Sequence, residues 1–124
     1  MMNEERVKKT PSKRYFVTLT VAPHKYSKEK FVQGVISAFK RETIELLGIN
    51  AEHLLDNKHV HAYVRYKGKG YLQKKNFKGW VSDLGYVDIK NVKHDNGINN
   101  YISKERPAFD NLDDFVKFLS DNIV

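Results

Sequence analysis

The chain contains no cysteine. That excludes a disulfide scaffold, a thiolate zinc site and a cysteine nucleophile, and it fits an intracellular compartment. No apolar run approaches the roughly 18 residues needed to span a bilayer. The opening "MMNEERVKKTPSKR" is polar and carries both charges, unlike a secretory signal. There is no internal repeat and no low-complexity tract. Prolines number only three, and they fall where elements should stop, at Pro11, Pro23 and Pro107.

What is present suits one domain of ordinary size: 124 residues, 40% hydrophobic and 12% aromatic. Residues 1–13 read as a flexible basic tail and 14–124 as the folded domain. The formal net charge of +7 makes nucleic acid a candidate partner, because each phosphate neutralised releases counterions.

"RYFVTLTV" at 14–21 reads as a strand from its β-branched and aromatic content. Ser27 then caps an amphipathic helix, "KEKFVQGVISAFKRETIELL". Phe31, Val35, Phe39 and Leu46 fall at helical spacing, Ile36 and Thr43 fill the same side, and Gly48 stands as the stop. "INAEHLLDNKHVHAYVRY" reads as two strands joined at Asp56-Asn57. A basic turn, Lys67-Gly68-Lys69-Gly70, follows. A short helix is expected to end near Trp80, and "GYVDIKNV" to form another strand. "INNYISKE" reads as a short helix after Asp95-Asn96-Gly97. A last amphipathic helix starts near Leu112, with Phe115, Val116, Leu119 and Ile123 on one side. This order predicts an α+β fold: a central antiparallel sheet with helices on one face and the other face open.

Two of five histidines sit one residue apart in "KHVHAYVR". In a strand, His59 and His61 project together, with Val60 on the other side. With a two-residue loop at Asp56-Asn57, Glu52 pairs with His61 and joins both histidines on one face. A one-residue slip would bring His53 there instead. Two imidazoles and a carboxylate suit Mn²⁺, Mg²⁺ or a similar divalent ion. Such an ion can polarise a phosphoryl oxygen. "YISKE" supplies Tyr101, a candidate nucleophile, with Lys104 at the third position on one helix side. Tyrosine titrates near 10, so a neighbouring cation is needed to favour the phenolate.

"FVTLT" at 16–20, "HVH" at 59–61 and "YISK" at 101–104 occur in this order. Together they resemble the three motifs of the HUH superfamily of rolling-circle replication initiators (Rep endonucleases) of the single-tyrosine type. These occur in small circular single-stranded DNA viruses, plasmids and archaeal viruses. The resemblance spans about residues 14–106. It implies an HUH, ferredoxin-like nuclease fold with Glu52, His59 and His61 as metal ligands, Tyr101 as nucleophile and Lys104 as accessory lysine. It implies nicking and joining of single-stranded DNA at a replication origin through a 5′-phosphotyrosine, in the cytoplasm or nucleus of a host whose replication machinery extends the freed 3′-OH. Arg65, Lys67, Lys69 and Thr18 are the expected DNA contacts. The chain departs from many relatives at Thr20-Val21, where they carry asparagine. It also lacks the G-x-x-x-x-G-K-[ST] loop of an appended helicase domain. It therefore reads as a small Rep or as the nuclease part of a longer one, either a monomer or a homodimer.

Two other readings compete. A non-catalytic sheet module like the RNA-recognition motif would stack bases on open-face aromatics such as Tyr63 or Tyr86. It gives no reason for His-x-His opposite Glu52. A single-tyrosine transposase of the same superfamily would recognise DNA hairpin ends, usually as a dimer. The two-histidine phosphoesterases need a second His-x-Ser/Thr motif, which the sequence lacks.

Overall fold

The computed structural model describes residues 13–21, 26–54, 58–82, 84–92, 102–103 and 106–123. Four strands among them form one antiparallel sheet: β1 (Arg14–Val21), β2 (Ile44–Glu52), β3 (Lys58–Tyr66) and β4 (Tyr86–Asn91), in the order β2-β3-β1-β4. Helix α1 (Lys28–Phe39) lies between β1 and β2, α2 (Lys74–Trp80) between β3 and β4, and α3 (Leu112–Asn122) follows. Through β4 this is the split β-α-β, ferredoxin-like arrangement. The fold is α+β with helices packed on a central antiparallel sheet, as expected. No described helix is long and apolar enough to cross a membrane.

Alternation along the strands separates the two faces. Tyr15, Val17, Leu19 and Val21 of β1, with Val60, Ala62 and Val64 of β3, are buried on one side. Phe31, Val35 and Phe39 of α1, Phe77 of α2, and Phe115 and Leu119 of α3 join them in one core. Phe39 and Phe77 meet edge to face with ring centres 5.3 Å apart, which locks α1 against α2. Ser27 caps α1 as expected, its Oγ accepting from Lys30 N at 3.2 Å. Asn111 caps α3 in the same way, through Asp114 N.

Two sequence expectations are corrected. Helix α1 ends at Phe39 with Lys40 as its cap, so Thr43 and Leu46 are not helical and Gly48 is not its stop. Residues 44–52 pair with β3 instead, with an irregularity between Leu46 and Gly48. Tertiary pairing outweighs the helix preference of "IELL". The β2–β3 connection runs from 53 to 57 rather than being a two-residue loop, and the register shifts accordingly: Glu52 pairs with His59, and Asn50 with His61. Lys13 extends the pairing of the two inner strands, its carbonyl accepting from Tyr66 N at 2.8 Å. The tail before it, the Asp56-Asn57 and Asp95-Asn96-Gly97 turns, and most of "INNYISKE" lie outside the described residues.

Candidate functional site

The face away from the helices is a grid of side chains in four rows. Glu45, Arg65 and Arg14 form the first; Gly48, Tyr63, Phe16 and Lys90 the second. Asn50, His61, Thr18 and Asp88 form the third, and Glu52, His59, Thr20 and Tyr86 the fourth. The parity of β3 puts His59 and His61 together here. Glu52 joins them because a two-residue change of register leaves a side chain on its original face.

Within the grid, Glu52 Oε1 lies 2.9 Å from His61 Nε2. On the other side of the ring, His61 Nδ1 lies 3.3 Å from Thr18 Oγ1. The Phe16 ring stacks on His61 with centres 5.6 Å apart. His61 is thus fixed on three sides and only 6% exposed. The His59 ring centre stands 6.1 Å from that of His61. His53 also reaches the cluster, its ring 5.4 Å from that of His59. Strand alternation would send His53 to the opposite face from Glu52. Its backbone instead turns left-handed, with φ of 55°, just after β2 ends. Nothing in the sequence pattern signals that turn.

The donor chemistry of Glu52, His59 and His61 fits a divalent ion such as Mn²⁺ or Mg²⁺. The geometry is that of a direct Glu52–His61 contact, and among the described residues no three His, Asp or Glu side chains close up as a metal cage. An ion held there would replace the 2.9 Å contact between carboxylate and imidazole.

Asn50 is the residue that sequence reasoning missed. It is buried, at 1% exposure, beside His61. Its Nδ2 donates to the carbonyls of Ile102 and Arg106, each at 2.7 Å, and its Oδ1 accepts from Ala51 N at 3.0 Å. Arg106 returns a hydrogen bond to Ala51 O and lays its guanidinium 4.7 Å from the Phe118 ring centre. Ile102 is buried over Gly48, where a Cβ would meet its Cδ1 at 3.0 Å. Phe109 then bridges to Ile49 through two backbone hydrogen bonds of 2.8 Å. Ile102 and Arg106 therefore lie over the β2 side of this face, and Phe109 pairs along the free edge of β2. A polar residue inside "GINAE" was the one available signal.

No protein-family model matches this chain, and no curated protein does. The remaining expected residues divide. Tyr101 and Lys104 lie outside the described residues. Thr18 is on the face, but its hydroxyl contacts His61. Arg65 pairs with Glu45 at 2.9 Å. Lys67 and Lys69 are exposed in the turn after β3. Tyr63 is buried, at 8%, and its hydroxyl accepts from Arg14 at 3.0 Å, so it offers no surface for a stacked base.

Proposed function

We propose that the protein is a metal-dependent single-stranded DNA endonuclease and strand transferase that initiates rolling-circle replication, as the HUH resemblance implies. The observation that carries this reading is Asn50. One buried side chain sits in the same row as His61 and holds the carbonyl of Ile102, the residue after Tyr101. The proposed chemistry needs its nucleophile close to the metal ligands.

Glu52, His59 and His61 would hold Mn²⁺ or Mg²⁺, which when bound polarises a phosphoryl oxygen of the DNA. The Tyr101 oxygen attacks phosphorus, the bond to the 3′ oxygen breaks, and that oxygen leaves as a 3′-OH after taking a proton. A 5′-phosphotyrosine remains. Lys104 would offset charge on the phosphoryl group or favour the phenolate. Thr18 and Phe16 hold the His61 ring in one orientation. Attack by a 3′-OH on the phosphotyrosine restores the strand, since the covalent bond conserves the phosphodiester's energy. On this reading the partners are origin DNA and the host's replication machinery, in cytoplasm or nucleus.

A denaturing gel tests the reading. Purified protein is incubated with a labelled pool of single strands that includes stem-loops, with Mn²⁺, with Mg²⁺ and with chelator. The expected result is a labelled band that migrates with protein after boiling, depends on metal and is absent in Tyr101→Phe. Binding with no covalent band in either metal would overturn it. The double variant His59→Ala with His61→Ala is expected to lose metal-dependent cleavage; full activity there would remove these histidines from the chemistry.

A further inference from the structure

The open face carries an aromatic side chain that the proposed chemistry does not use. Tyr86 begins β4 and is 61% exposed. It stands in the row that contains Thr20, His59 and Glu52. Strands lie about 4.8 Å apart, so Tyr86 is on the order of 10 Å from His59 across the sheet. Lys74, the first residue of α2, reaches over from outside the sheet. Its Nζ lies 4.5 Å from the Tyr86 ring centre and 3.4 Å from the hydroxyl. Lys74 is also exposed, so its charge can meet a phosphate from solvent. Asp88, the next residue of β4 on the same face, carries the opposite charge. A phosphate near Tyr86 is therefore directed toward Lys74 and away from Asp88.

We propose that Tyr86 and Lys74 form a subsite for one nucleotide of single-stranded DNA, with the base stacked on the Tyr86 ring and its phosphate against Lys74 Nζ. An exposed ring beside a cation suits a base and its phosphate together, and stacking on such a ring tolerates any base. The proposal rests on the reading that single-stranded DNA is the substrate. It adds a fixed point about two strand spacings from the histidine pair, so one nucleotide near the scissile phosphate is held in place.

Fluorescence anisotropy with a labelled single-stranded oligonucleotide of mixed sequence tests it. Tyr86→Ala is expected to weaken binding roughly ten-fold, and Tyr86→Phe to stay close to wild type, because stacking needs the ring and not the hydroxyl. Once a cleaved sequence is known, an abasic nucleotide walked along it should weaken binding at one position in wild type and have no effect at that position in Tyr86→Ala. Both residues are exposed, so the variants should melt as wild type does. Binding by Tyr86→Ala equal to wild type, or Tyr86→Phe as weak as Tyr86→Ala, would overturn the subsite while leaving the cleavage reading intact. A wild-type protein that binds no single strand would overturn both.

Discussion

At the scale of single residues, the site depends on groups that hold other groups. Asn50 satisfies two carbonyls and an amide in a place water does not reach. Asn50→Leu leaves all three without that partner and is expected to cost roughly 2–4 kcal/mol, read from urea unfolding. A change below about 0.5 kcal/mol would mean that the segment after Tyr101 is held by other groups. Thr18 contributes differently. Thr18→Val keeps the shape of the side chain and removes the oxygen beside His61 Nδ1. Stability should fall by about 1 kcal/mol, because His61 Nδ1 loses a partner while β-branched valine still suits the strand. On the proposed function, the Mn²⁺ concentration giving half-maximal covalent product should rise about ten- to hundred-fold. An unchanged Mn²⁺ titration would show that this hydroxyl does not orient the ring. The histidine pair is legible in the sequence because strand parity is a strict rule. Asn50 and His53 are not, since one acts through a partner far along the chain and the other through a backbone turn.

At the scale of elements, the strongest patterns are readable from sequence and their ends are not. Strand β1, the Ser27 cap and the apolar side of α3 follow directly from composition and spacing. The end of α1 is hidden because no glycine or proline separates Phe39 from Ile44, and "IELL" continues the helical period. Only β3, met later in the chain, makes those residues a strand. The β2–β3 register also differs from the one that a two-residue loop predicts. The difference is an even number of residues, so Glu52 stays beside the histidines. Gly85 marks how closely β4 approaches β1. A Cβ there would overlap the Thr20 carbonyl, which is backbone and cannot swing aside. Gly85→Ala is expected to destabilise the protein by about 1–3 kcal/mol and to lower its melting temperature. A melt identical to wild type would mean that β4 shifts freely.

For the whole molecule, net charge is the property that composition alone makes plain. On the proposed function, the +7 charge predicts that affinity for single-stranded DNA falls steeply with salt. Removing Lys67 and Lys69 together should lessen the log–log salt slope by about 0.7 for each phosphate that is no longer neutralised. Arg65→Ala should change it less, because Glu45 already engages that guanidinium. Equal slopes for all three proteins would place the phosphates elsewhere. The position of β1 has a further consequence, for the order in which the protein can assemble. The first of the described strands is central: Val17 pairs with Ala62 on one side and Ile89 on the other. During synthesis it leaves the ribosome long before either neighbour exists. At about 5–20 residues per second, β1 waits several seconds with both hydrogen-bonding edges unpaired. Sheet closure is therefore governed by the last partner to emerge, and slow translation through residues 60–90 prolongs the interval in which the nascent chain is exposed to aggregation.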